Sequence, residues 1–169
     1  MKRPQFTVSL LSFCISSVAS VLLAAEDASF WLARDGKPAA TIVISSNACK
    51  SVRFAAGELG AYVERMSGAV LPIVSNEIPV KGPRILVGRS KTTDTMGVAI
   101  PRGFTSRLAE EGFILRVIEG TLIVAGNDDG PKRTEDAADP ISFGTVYKGT
   151  LFAVYELLEW AAALLSGSG

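Results

Sequence analysis

The sequence contains no histidine, only two cysteines, and no excess of either charge, with 17 basic residues against 17 acidic ones. Without histidine there is no Ser-His-Asp or Cys-His catalytic pair, no imidazole metal ligand and no imidazole pH switch. Cys14 and Cys49 cannot form a zinc site alone, and their separation is not that of a ligand pair. The charge balance lacks the basic footprint of a nucleic-acid binder. Gly82-Pro83-Arg84 and Gly88-Arg89-Ser90-Lys91 lack the spacing of a phosphate-cradling loop. What remains is a chain of 169 residues, enough for one domain with an ordinary core.

The first 25 residues read as something other than that domain. Lys2 and Arg3 supply positive charge, Phe6 to Ala25 carries none, and acid first appears at Glu26-Asp27. This order is that of a secretory signal peptide, so residues 1–25 are expected to be removed and the product to be secreted or periplasmic. Cleavage fits after Ala24 or Ala25, with Val18-Ala19-Ser20 as an alternative small-residue site. The rival reading is an uncleaved anchor, since the run approaches the length of a membrane span. After cleavage the chain holds 15 basic and 17 acidic residues, net −2, and only Cys49. A single cysteine forms no internal disulfide, so the domain stands on its core. With no activating partner in view, Cys49 reads as a small apolar side chain.

Hydrophobic period organises the rest. Phe30 to Lys37 suggests a short strand ending in an Asp35-Gly36 turn. Thr41-Ile42-Val43-Ile44-Ser45 is a β-branched strand, followed by turn and N-cap chemistry at Ser46-Asn47. Val52, Ala55, Ala56, Leu59, Tyr62, Val63 and Met66 then fall at helical spacing, and Gly68 stands where a left-handed C-terminal residue belongs. Gly57 and Gly60 weaken this helix, and close approach to a sheet is the expected compensation. Leu71 to Ser75 reads as a strand whose proline places it at a start or an edge. Arg84 to Gly88 reads as a buried strand, and Thr92 to Arg107 as a surface connection with a short helical piece. Gly112 to Ile118 and Thr121 to Gly126 flank Glu119-Gly120 and form a hairpin. Asn127 to Lys148 is a long polar loop. Thr150 caps a last helix from Leu151, with Leu151, Val154, Tyr155, Leu158, Ala161, Ala162 and Leu165 on its apolar face.

Strands and helices do not alternate strictly. The expected fold is therefore α+β, a mixed β-sheet of about six strands with two helices packed on one face, rather than a doubly wound parallel sheet. The two helices share a pattern: Phe54-Ala55-x-x-Glu58-Leu59-x-x-Tyr62 matches Phe152-Ala153-x-x-Glu156-Leu157-x-x-Trp160. Their flanks do not match, which favours a shared packing demand over duplication.

Several blocks carry a resemblance when taken in order. Phe54 to Tyr62, Met66-Ser67-Gly68 and Leu71-Pro72-Ile73 come first. Ile85 to Gly88, Glu111 to Leu115, Leu122 to Gly126 and Gly149 to Glu159 follow. Together, over about residues 40–160, they resemble the N-terminal domain that precedes the barrel in family 67 alpha-glucuronidases. They resemble still more the bacterial secreted proteins classed under domain of unknown function 4838. The resemblance implies residues 26–165 as an α+β accessory domain, similar to the N-terminal domain of family 20 beta-N-acetylhexosaminidases, with 166–169 as a tail. In such enzymes the catalytic carboxylates lie in the following (β/α)8 barrel, so no catalytic residue transfers to this chain, and the barrel is the expected partner. The sequence departs from the pattern after Trp160, where a Leu-Gly-x-Arg-Trp-like strand leads into the barrel in these families. The expectation is thus a non-catalytic accessory domain of a secreted alpha-glucuronidase-like protein, truncated before its barrel. The alternative is a free-standing carbohydrate-binding module that takes polysaccharide.

Candidate sites are few. Glu156 and Glu159 share a helix face, and Glu110 and Glu111 are adjacent, but neither pair implies the cleft that glycoside hydrolysis needs, so both read as solvated carboxylates. Asn127, Asp128, Asp129, Asp136 and Asp139 offer oxygen ligands for calcium but lack EF-hand order, and read as an acidic turn partnered by Lys132 and Arg133. No catalytic, cofactor-binding or metal-binding residue is assigned. Among the aromatics, Tyr62, Tyr155 and Trp160 lie at helix-packing spacings, so core or rim packing is their default role. Trp31 and Tyr147 lie in less regular segments and are the candidates for carbohydrate contact.

Overall fold

The computed structural model describes residues 30–102, 112–128 and 147–166. The segment read as a signal peptide lies outside the described residues, as do Glu110, Glu111, Asp129, Asp136 and Asp139.

A mixed sheet of five strands forms the centre. It is built from β3 (Thr41–Ile44), β4 (Ile73–Ser75), β5 (Arg84–Val87), β6 (Phe113–Ile118) and β7 (Thr121–Gly126). The order is β4-β3-β5-β7-β6. The first four in that order run parallel, and β6 returns antiparallel to β7. A separate ribbon pairs β1 (Ala33–Arg34) with β2 (Lys37–Pro38). The count is thus five plus two rather than about six, because the Phe30–Lys37 segment folds back on itself at Asp35-Gly36, both with positive φ, as an isolated hairpin. Glu119 and Gly120, at φ 46° and 70°, likewise make the tight turn that joins β6 to β7.

Two long helices, α1 (Lys50–Ser67) and α3 (Gly149–Ser166), lie on the same face of the sheet and pack against each other. Crossing the sheet beneath them, the row Ile73, Ile42, Ile85, Leu122, Val117 faces the helices. Its three middle members are buried and its two end members are exposed. Val52, Ala55, Ala56, Leu59 and Val63 of α1 close over this row, with Leu151, Ala153, Val154 and Leu158 of α3 beside them. Each large side chain so buried contributes about 2 kcal/mol. On the opposite face Val43, Leu86, Ile123 and Ala125 meet Val98 and Ile100. These follow the short helix α2 (Lys91–Thr95), so the expected surface connection does cover a second, smaller core.

Three local expectations need correction. The N-cap of α1 is Cys49, with no side-chain cap bond, not Ser46-Asn47. The backbone N–H groups of Asn47 and Ser46 donate to Ser45 Oγ and Asn76 Oδ1, so this segment forms a turn two residues ahead of the helix start. Helix α3 begins at Gly149, which places Thr150 inside its first turn. Of the two α1 glycines, only Gly60 stands over the sheet, where a Cβ would sit 3.7 Å from Ile73 and 3.9 Å from Ile42. Gly57 faces open space, so sheet approach does not explain it.

Candidate functional site

The position of α3 is set by a buried polar latch at its amino end. The Thr150 hydroxyl donates to Asp128 Oδ2 at 2.6 Å and accepts from Gly126 N–H at 2.9 Å. Thr150 N–H donates to Asp128 Oδ1 at 3.2 Å, so the Asp128 carboxylate caps the helix, in a role matching its sign to the helix dipole. Asn127 is fully buried and joins two backbone bonds, its N–H to Gly112 and its C=O from Gly149. A Cβ on Gly126 would overlap the backbone of Gly149, and one on Gly149 would overlap the backbone of Asn127 and Gly112. One carboxylate of the acidic segment thus serves the fold. Among the described residues no group of three metal-ligating side chains forms.

With that end fixed, α3 lies over β7 and the margin strand β6. Its inward stripe is buried. A second stripe, Phe152, Glu156, Glu159 and Trp160, follows at i, i+4, i+7 and i+8 and faces outward. Trp160 is 54% exposed and Phe152 40% exposed. Phe113 and Val117 of β6 point to the same side and are also exposed. Between helix and strand lie two recesses. One, of about 290 Å³, is lined by Phe30, Leu32, Leu115, Val117 and Trp160 together with the charged residue Arg116. The other, of about 420 Å³, is lined by Phe113, Phe152, Tyr155, Glu156 and Glu159.

The inner wall of the second recess is held by a bond between the helices. The Tyr155 hydroxyl donates to Glu58 Oε2 at 3.3 Å. Burial first, then the Glu58 charge and this hydrogen bond, raise the Tyr155 pKa above its ordinary value. Glu156 and Glu159 face the recess with no ion pair among the described residues. Their chemistry is attraction for a cation beside aromatic rings.

Trp31 and Tyr147 do not converge. Trp31 is 53% exposed, with the Arg34 guanidinium 5.6 Å from its ring centroid. Its neighbours Phe30 and Leu32 share a recess with Trp160, toward the far end of α3. Tyr147 is half-buried and stands just before the first turn. About 15 Å of helix separates these ends. Cys49 is a free, half-buried thiol 3.3 Å from Ser51 Oγ, and it packs against the core as a small apolar group would.

Trp160 sits at the rim rather than in the core. The exposed surface of Phe113, Val117, Phe152 and Trp160 was not selected by residue spacing. The signal for it was present: aromatics on α3 outside the one apolar stripe its core contact requires. No helix among the described residues is long and apolar enough to cross a membrane. No protein-family model and no curated protein sequence matches the chain.

Proposed function

We propose that this chain is a non-catalytic accessory domain of a secreted glycoside-hydrolase-like protein, of the kind that precedes an alpha-glucuronidase barrel. The observation that carries the reading is the aromatic surface along α3 and β6. Single exposed apolar residues are ordinary, whereas Phe113 with Phe152 and Val117 with Trp160 gather around two recesses along the same helix and strand, which supports a contact role. The mixed sheet with two helices on one face is the architecture that the family resemblance implies, and so supports the finer assignment. The carboxylates here line a shallow aromatic recess with no ordered partner set, which suits contact and not bond cleavage.

The test has two parts. The chain alone is expected to give no turnover of aryl glycosides or glucuronoxylan. Supplied in trans to a family 67 barrel, it is expected to bind, and Trp160→Ala is expected to weaken binding at least tenfold. Turnover abolished by one carboxylate substitution, or no association with the barrel, would overturn the reading.

A second reading, a free-standing carbohydrate-binding module, is favoured by the exposed Trp31 ring. It predicts polysaccharide retention that falls on Trp31→Ala, and on Tyr147→Ala if both rings contribute. Absence of retention on several plant and bacterial glycans would remove it.

A further inference from the structure

The recess between α3 and the Phe113 end of β6 has side chains of only two kinds. Phe113, Phe152, Tyr155, Glu156 and Glu159 surround about 420 Å³. Three are aromatic and two are carboxylates. Their only side-chain donor is the Tyr155 hydroxyl, and it is already given to Glu58 Oε2 at 3.3 Å. Neither Glu156 nor Glu159 has an ion pair or hydrogen bond among the described residues. The lining side chains therefore offer ring faces and negative acceptors, and no free donor.

That set narrows the ligand by elimination. An anion would meet two carboxylates. The hydroxyls of a neutral sugar carry acceptor lone pairs, and no side chain here is free to donate to them. A divalent metal takes more oxygen ligands than two carboxylates supply, and no group of three metal-ligating side chains forms among the described residues. A primary ammonium or a guanidinium gives up hydrogen bonds to water that ring faces do not return. A quaternary ammonium has none to give up. Its methyl groups fit apolar ring faces, and its charge is drawn to the rings and to the carboxylates.

We propose that this recess binds a small quaternary ammonium cation of the choline type, with Phe113, Phe152 and Tyr155 as the aromatic cage and Glu156 and Glu159 as the counter-charge. The fold supplies the cage from two elements, Phe113 from β6 and the other two rings from α3. The Tyr155–Glu58 bond ties the inner wall to α1 as well. The rings are thus held by the sheet and both long helices before a ligand arrives, which lowers the ordering cost of a small contact.

The ligand goes beyond the accessory-domain reading and does not depend on it. Its test titrates four probes into the full chain: choline, the neutral analogue of choline with carbon in place of nitrogen, ethanolamine and methylguanidinium. Binding is read from the NMR shifts of the Phe113, Phe152 and Tyr155 rings. Choline is expected to shift all three rings saturably. The carbon analogue keeps the shape and loses the charge, and ethanolamine keeps the charge and loses the methyl groups. Both, and methylguanidinium, are expected to bind about tenfold more weakly than choline. Phe152→Ala and Glu156→Gln/Glu159→Gln should each lower choline affinity about tenfold, with the fold kept because these side chains are not in the core. Added salt should weaken choline binding, since the carboxylates are not sealed from water.

Four results would overturn the proposal: no saturable shift with choline, equal binding of the carbon analogue, equal binding of ethanolamine, or choline affinity unchanged in both variants. Methylguanidinium bound as tightly as choline would assign the recess to an arginine of another chain, a second copy included, and overturn it too. Barrel association without choline binding would leave the accessory reading standing and remove this one. Choline binding without barrel association would do the reverse.

Discussion

Helices α1 and α3 have the same length and share the pattern Phe-Ala-x-x-Glu-Leu-x-x-aromatic, yet they end in different circumstances. Helix α1 lies above β3, β4 and β5, so Leu59 is sealed and Phe54 is half-buried. Its Glu58 accepts a hydrogen bond from Tyr155. Helix α3 lies above β7 and the margin strand β6, so its matching Phe152 and Trp160 remain exposed and its Glu156 keeps no ion pair. The closing aromatic is exposed in both helices, Tyr62 in α1 as well as Trp160 in α3. The contrast therefore lies at the first position, where Phe54 is half-buried over the sheet centre and Phe152 is exposed at its margin. The difference comes from the neighbours, not from the helix.

Substitutions should separate the two helices. The largest loss is expected at the centre, where Leu59→Ala leaves a cavity in α1 and should cost about 3 kcal/mol in denaturant unfolding. Next comes the latch that aims α3. Thr150→Val strands the Gly126 N–H and removes the hydroxyl's bond to the Asp128 carboxylate, and about 2 kcal/mol should be lost in the same measurement. Gly57→Ala works in the opposite direction. Its Cβ enters open space on α1, and the chain should gain about 1 kcal/mol. Trp160→Ala, at a matching aromatic position but at the margin, should change stability by no more than about 0.5 kcal/mol.

The contact between the helices gives a pH signature. Tyr155 holds its proton more tightly folded than unfolded, so the unfolded chain ionises first as pH rises. The stabilisation is fully present below the ordinary tyrosine range and declines as pH climbs through it. Tyr155→Phe should flatten that decline in alkaline melts. Glu58→Gln should bring the phenol's absorbance titration back toward the ordinary range, since two of the causes of the shift are Glu58's charge and hydrogen bond.

Much of the fold was legible in the sequence because period and turn chemistry agreed with tertiary need. The hairpin at Glu119-Gly120, the left-handed Gly68 and the buried strand Arg84–Val87 each carried a local physical signature. Pro72 correctly placed β4 at a sheet edge, since an edge tolerates a missing donor. The helix starts were less legible. Ser46-Asn47 have capping chemistry, but the segment is held as a turn by backbone bonds, one of them to Asn76, and the Thr150 hydroxyl is engaged by Gly126 and Asp128. Sequence spacing does not report partners 20 or more residues away. The α3–β6 surface was illegible for a related reason. Exposure of Phe152 and Trp160 depends on α3 sitting at the margin, which follows from strand order and not from the helix's own residues.

The central claim is that this aromatic margin is an interface and not part of the core. Its most direct test is the denaturant midpoint of the Phe152→Ser/Trp160→Ser chain. A midpoint corresponding to a stability within about 1 kcal/mol of the parent, about 0.5 kcal/mol for each substitution, is expected, together with loss of barrel association. A loss of several kcal/mol would place both rings in the folded core and contradict it.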